Sequence, residues 1–385
     1  MPVARIGLLG SLAWICVAVP MSAVPAIAQS AKRNSFLLVA TGEQGWDSNA
    51  LYVADSVRTS DFIRRVNATI QATKVTARGT VSLLAGGSAL FYDKLRPLNT
   101  LTYNFATAGT YKLGARTNAT ASTNYGNQLV GEVRGSAANP LLRRALQRTI
   151  GGVVSVDYRL SPFVTAAAGA AYSRVTFDSP GLIPGTSLNG VGSIKRRFRT
   201  RGSVGLLADV SQGVALGTQL ATQTLAADWQ PLIRALGSVR FDMRVGVTRS
   251  VTGTFSAKFV PTGSLTVSDT IGRGLLSVAA TRAVSQGFGL GALLLTTAEG
   301  ASYTFEAKRG NLVTLNAYNS QSTATGGLAG AALKLRAQGV GGTVQRVFKK
   351  GIAIGGGASY RSRRDLVRSS GVQVQLQAGF ALGSR

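Results

Sequence analysis

Seven basic residues, Arg159, Arg240, Arg244, Lys258, Lys308, Lys334 and Arg336, stand at polar positions of segments in which every second residue is apolar. Bases gathered on one wet face raise the local anion concentration and oppose cations. Asp157, Asp242 and Glu306 share those faces. A second reading therefore pairs each base with an acid that braces a wall. The bases outnumber the acids, which favours the first reading for the set. The densest basic run holds Lys195, Arg196, Arg197, Arg199 and Arg201. Paired guanidinium donors match phosphate oxygens. The run follows a long polar connection, so it is expected at an outer rim facing lipopolysaccharide phosphates, with a polyanionic polysaccharide as the alternative. Arg361, Arg363, Arg364 and Arg368 are read the same way.

Other chemistry is closed off. There is no histidine, which removes a Ser-His triad, a His-ligated zinc and an imidazole base. The single cysteine, Cys16, lies in an apolar N-terminal run. Asp47 and Asn49 offer oxygen ligands to a cation, but Asp, Ser and Asn also bond locally to turn backbone. Gly355-Gly356-Gly357 lacks the Lys-Ser/Thr of a phosphate loop and sits in a strand pattern. No catalytic, cofactor-binding or metal-ligating residue is assigned. A lipid-acting enzyme remains a third reading without a convergent Ser/Asp/Lys set behind it.

The elements that must position these residues are strands. In Gly371–Leu382 the positions Val372, Val374, Leu376, Ala378, Phe380 and Leu382 are apolar, while Gln373, Gln375, Gln377 and Gly379 fall between them. Strand side chains alternate between faces, so this segment has one oily and one wet face. The pattern recurs at Gly237–Val247, Thr254–Pro261, Ser302–Arg309, Ala331–Gln338 and Gly152–Leu160. In Ala331–Gln338 it assigns Leu333, Leu335 and Ala337 to the oily face. The reading is all-β: a single transmembrane antiparallel β-barrel of the bacterial outer-membrane type, with about 18 strands and 16 as the next choice.

The 385 residues carry a formal net charge of +27. Arg5, the apolar run Ile6–Val19 and Ala26-Ile27-Ala28 read as a cleavable signal peptide over residues 1–28, leaving 29–385 as the barrel. Export disfavours nucleic acid as the anionic partner. It leaves outer-membrane lipid and lipopolysaccharide, anionic polysaccharide and small anions, together with the barrel-assembly machinery.

Short turns are expected near Thr73-Lys74, Ser161-Pro162, Val210–Gly213, Arg249-Ser250, Val284–Gly287, Arg309–Asn311 and Lys349–Gly351. Longer connections are expected at Trp46–Ser60, Asp93–Asn99, Val130–Ala145, Asp178–Gly192, Thr262–Thr270, Thr323–Gly327 and Arg364–Ser370. Val130–Ala145, with Arg134, Arg143 and Arg144, either narrows the lumen or lies on the surface. Such alternation places short turns in the periplasm and longer loops outside.

The first hairpin reads Phe36-Leu37-Leu38-Val39-Ala40, then Gly45-Trp46-Asp47-Ser48-Asn49, then Ser60-Asp61-Phe62. It resembles the opening of the putative β-barrel porin type 2 family, in which an aromatic-Asp-Ser-Asn motif ends the first strand and Ser-Asp opens the second. Tyr158-Arg159-Leu160-Ser161-Pro162 resembles a strand end of the same family. The resemblance implies an outer-membrane location and an association with exopolysaccharide production and export, and no catalytic residue. One departure stands out: many outer-membrane barrels end on an aromatic residue that the assembly machinery reads, whereas this sequence reads Phe380-Ala381-Leu382-Gly383-Ser384-Arg385, where Phe380 with a short overhang is expected in that role.

Two functions follow as expectations. One is a passive channel with a basic lumen, serving exopolysaccharide export or the diffusion of anionic solutes. The other is a structural or adhesive barrel whose loops bind surface glycans or lipopolysaccharide.

Overall fold

Alternating side chains build eighteen strands in the computed structural model: β1 (Asn34–Asp47), β2 (Asp61–Val75), β3 (Gly79–Tyr92), β4 (Thr100–Lys112), β5 (Thr117–Val130), β6 (Ala145–Arg159), β7 (Val164–Phe177), β8 (Gly185–Phe198), β9 (Gly202–Ala215), β10 (Thr218–Pro231), β11 (Arg240–Thr252), β12 (Lys258–Ile271), β13 (Gly274–Gly287), β14 (Ala292–Lys308), β15 (Asn311–Gly327), β16 (Lys334–Val347), β17 (Ile352–Arg364) and β18 (Arg368–Gly383). The structure describes residues 34–50, 56, 58–130, 145–198, 202–231, 239–253, 257–308, 310–327, 334–348, 351–364 and 368–383. The expected signal peptide and the expected lumen loop, 131–144, lie outside them.

Every strand pairs antiparallel with its sequence neighbours, and β1 also pairs with β18 from Leu37↔Gly383 to Asp47↔Gln373. Among the described residues the sheet is thus a closed barrel with no free edge, as expected of backbone that must satisfy its hydrogen bonds in lipid. The connections at 76–78, 113–116, 160–163, 199–201, 272–273, 309–310 and 348–351 lie at the end where β1 starts and β18 stops. The connections at 48–60, 93–99, 131–144 and 178–184 lie at the other end, called here the loop end.

The outer face carries the oily set. Phe36, Val66, Val154, Leu188, Val245, Val340, Val374, Leu376 and Phe380 are all exposed, because their solvent is lipid. On β1, outward Phe36 and Trp46 stand near opposite ends of the strand. At 3.4 Å per residue their spacing is about 34 Å along the strand, and a tilt near 40° reduces it to about 25 Å along the membrane normal. That is the height of an outer-membrane hydrocarbon band between its aromatic girdles.

Several expected turns fall inside strands. Val210–Gly213 belongs to β9, Arg249-Ser250 to β11 and Val284–Gly287 to β13. The expected connections Thr262–Thr270 and Thr323–Gly327 lie in β12 and β15. The cause is common to all of them: lumen-facing positions of a water-filled barrel take Ser, Thr, Gly and Gln freely, and that composition mimics a loop. The turn between β9 and β10 is only Leu216-Gly217, both at positive φ (48° and 75°). This is the geometry that a two-residue hairpin demands, whatever residue supplies it.

The wall is not uniform. β12 and β13 pair only from Gly263↔Arg282 to Ile271↔Gly274. Beyond that point β13 parts from β12, and the tip of β13 and β14, with β14 still paired to β15, folds into the lumen. Val284 and Phe288 pack with Leu293 against Ala215 and Leu220 on the inner face of β9 and β10. Gly289 bridges to Ile183 between β7 and β8. Leu290 reaches Ala145, Phe177 and Leu182, nearly across the barrel. Gln286 donates to Ser211 Oγ at 2.9 Å and to the Leu220 carbonyl at 3.3 Å. Gly185 and Gly213 make room for this tip, since a Cβ at either would collide with the Phe288 ring or the Gln286 amide. Leu220, Leu293 and Leu294 are fully buried, which stabilises the infolded tip by about 1.5–3 kcal/mol per side chain.

Candidate functional site

The lumen forms a cavity of about 2750 Å³. Its inner wall is dominated by Ser, Thr, Asn and Gln, including Thr41, Asn67, Ser88, Asn104, Thr120, Asn124, Thr224, Gln345 and Gln375. Set into this neutral polar lining are a few charges, and register brings several of them together.

Arg159 on β6 opposes Thr165, and Thr165 opposes Lys195 on β8. Lys195 opposes Gly205, which opposes Asp228 on β10, which opposes Arg244 on β11. Directly opposed residues share a face. Arg159, Lys195, Asp228 and Arg244 therefore stand in one row across six strands, all lining the cavity. Gly205 contributes no side chain to it. Arg244 Nε donates to Asp228 Oδ1 at 2.6 Å, and both side chains are largely buried. Lys195 Nζ donates to Gln230 Oε1 at 2.7 Å, and Gln230 Nε2 donates to Asp242 Oδ2 at 2.7 Å. The amide relays between a base and an acid one row nearer the short-turn end. Arg197 and Asp157 line the cavity beside the row.

The remaining basic candidates spread out. Arg240 and Lys258 have the lumen-facing parity of Arg244 and Ser250, at the ends of β11 and β12, where both are exposed. Lys308 closes β14 opposite Asn311. Lys334 and Arg336 point outward, because the neighbouring Leu335 is the buried, inward residue, opposed to Ser322. The expected face assignment of this segment is inverted. Its oily residue Leu335 is buried inside the barrel instead of facing lipid. The run at Lys195 lies not beyond the 178–184 connection but at the opposite end, because β8 carries it through the wall. Lys195 and Arg197 turn into the lumen, while Arg196 turns outward and stacks over Phe198 at 5.3 Å. Arg199 and Arg201 fall outside the described residues.

The residues of the first-hairpin motif act on closure. Asp47 Oδ1 accepts the Asn49 N–H at 2.9 Å, the local turn bond that its residue type suggests. Asp47 Oδ2 accepts from Arg361 Nη2 at 2.5 Å across the β1–β18 junction. Ser48 and Val372 exchange two bonds: the Val372 N–H donates to Ser48 Oγ and the Ser48 N–H to the Val372 carbonyl. Asn49 Nδ2 donates to Ser369 Oγ and to the Ser370 carbonyl. The carboxylate of Asp61 accepts from the N–H groups of Lys94 and Leu95, fixing the 93–99 connection. The partners of Asp47, Ser48 and Asn49 on the last two strands lie 314 to 324 residues away, so the sequence showed the motif and not its use.

Comparison with known proteins agrees with this architecture. The family described as putative beta-barrel porin 2 matches residues 35–208, the region that contains the first-hairpin motif. No curated protein sequence matches the chain. OccK2 (OpdF) of Pseudomonas aeruginosa is similar in structure with a TM-score of 0.52 at 11% identity, over 91% of this chain and 98% of that one. OccAB4 of Acinetobacter baumannii gives 0.50 at 10% identity, over 92% of this chain and 99% of that one. At such identities the likeness is one of fold. Barrel, lumen and family match together define a porin-like β-barrel channel of the bacterial outer membrane.

Proposed function

We propose that this channel passes small anionic solutes by passive diffusion, and that the row Arg159–Lys195–Asp228–Arg244 biases it toward anions. One observation carries the reading: this row sets three bases against one acid on the lumen wall. Among the described residues that line the cavity, eight are basic (Arg65, Arg116, Arg159, Lys195, Arg197, Arg244, Arg282 and Arg361) and five acidic (Glu43, Asp157, Asp209, Asp228 and Asp242). Low-dielectric walls focus such an excess into a potential that an anion meets on entry. The mechanism needs no energy coupling and no covalent step. A part in exopolysaccharide export rests on the first-hairpin resemblance alone. The infolded tip of β13 and β14 favours small anions over a polymer in this conformation.

The test is the reversal potential of the folded barrel in a planar bilayer under a potassium chloride gradient. Anion preference that falls in R159Q/K195Q, with block by acidic oligosaccharides, supports both parts. Cation preference removes the role of the row. A folded barrel without conductance shifts the reading to a structural or glycan-binding barrel.

A further inference from the structure

The outer face of the barrel carries a second, separate basic feature. Arg336 on β16 directly opposes Arg364 on β17, and Arg364 directly opposes Arg368 on β18. Lys334 lies two residues further toward the loop end on the same face of β16. All four are exposed. Their outward direction follows from their neighbours: Leu335 and Arg361 are buried on the inner side, while Val340, Tyr360 and Val372 are exposed on the outer side. Among the described residues none of the four bases has an ion pair or hydrogen bond, and the nearby Asp365 lies outside the described residues.

Like charges placed directly opposite across a sheet repel. Three guanidinium groups in adjacent positions on three strands form an arrangement that an anion between them relieves. Toward the barrel middle one outward row of small or polar residues follows, Gln338 opposite Ser362 opposite Ser370, and beyond it the outer face turns apolar. Val340 opposes Tyr360, and Tyr360 opposes Val372, four residues along each strand from the arginine row. That is about 13 Å at the rise of a strand. The order from the loop end inward is therefore bases, then the polar row of Gln338, Ser362 and Ser370, then an aromatic flanked by valines, then the oily belt with Val374 and Leu376. This is the order of a phosphorylated headgroup above acyl chains.

We propose that Arg336, Arg364 and Arg368, with Lys334, form a binding site on the outer wall for the phosphates of lipopolysaccharide in the outer leaflet, whose acyl chains lie along Val340, Val372 and Val374. Guanidinium forks bind phosphate oxygens in pairs and are the apt residue for it. The site stands apart from the lumen. It rests on the outer-membrane placement of the barrel with the loop end outward, and not on the solute passed.

The test uses the full-length barrel purified in detergent, comparing the wild type with R336Q/R364Q/R368Q and with R364Q alone. Binding of lipopolysaccharide, of the same lipid stripped of its phosphates and of phosphatidylglycerol is titrated by the rise in thermal midpoint, since a ligand of the folded state stabilises it by mass action. The expected result is at least tenfold weaker lipopolysaccharide binding by the triple variant and an intermediate loss in R364Q. Both chains bind the stripped lipid weakly and alike. Equal binding of lipopolysaccharide by wild type and variants overturns the proposal. So does wild-type binding of phosphatidylglycerol or stripped lipid as tight as that of lipopolysaccharide. If the triple variant fails to fold, R364Q decides by itself. Conductance and ion preference are unchanged in both variants, so failure of this site and failure of the channel reading are read separately.

Discussion

Arg361 Nη2 stands 2.5 Å from Asp47 Oδ2, with the Asp47 side chain fully out of water and that of Arg361 nearly so. The pair joins the last strands to the first. A buried carboxylate stripped of its cation, or the reverse, costs about 3–5 kcal/mol. D47A and R361A are each expected to lower barrel stability by about that amount in urea unfolding from detergent micelles. The double variant should lose less than the sum of the two. Additive losses would show that the two side chains act independently.

Asp61 is almost fully buried and accepts backbone N–H groups from Lys94 and Leu95 across the barrel rim. D61A leaves those donors unpaired, at about 1–3 kcal/mol. The expected readout is faster proteolytic cleavage within 93–99 while the barrel itself stays resistant. Cleavage at the wild-type rate would mean that the connection is held by Leu95 and Leu98 packing on Ile63, Leu90 and Tyr92.

The tip of β13 and β14 crosses the lumen because Phe288 fits over Gly185 and Leu293 packs on Leu220. G185V fills the seat of the ring. It is expected to displace the tip and raise single-channel conductance about twofold or more, with the strand content of the barrel intact by circular dichroism. Unchanged conductance in the folded variant would locate the narrowest point elsewhere.

Asp228 is the acid of the lumen row, bonded to Arg244. D228N frees the charge of Arg244 and raises the net charge of the row by one. The expected shift in reversal potential is toward stronger anion preference, larger at low salt than at 1 M, where the screening length falls to about 3 Å. A shift toward cations would contradict the field reading of the lumen.

Much of the barrel was legible because lipid tolerates so little. Val372 to Leu382 and Phe241 to Val247 had to present oily residues at every second position, and the structure turns both sets outward. The segment around Leu335 misled because the same alternation results when the oily residue is buried on the inner side. No local pattern separates the two cases. The run from Lys195 to Arg197 was visible as a cluster, but its end of the barrel depended on where β8 starts, and Gly185–Gly192 reads as loop while forming strand. The row joining Arg159, Lys195, Asp228 and Arg244 was out of reach in the sequence, since register across six strands is a property of the sheet.

The closure contacts also set an order in time. Asp47, Ser48 and Asn49 emerge in synthesis long before their partners Arg361, Ser369, Ser370 and Val372. A chain that stops before residue 361 can pair its strands in sequence yet has nothing to latch its first edge. The latch thus acts as a check on the sheet itself: only a chain that carries β17 and β18 can seal the circle.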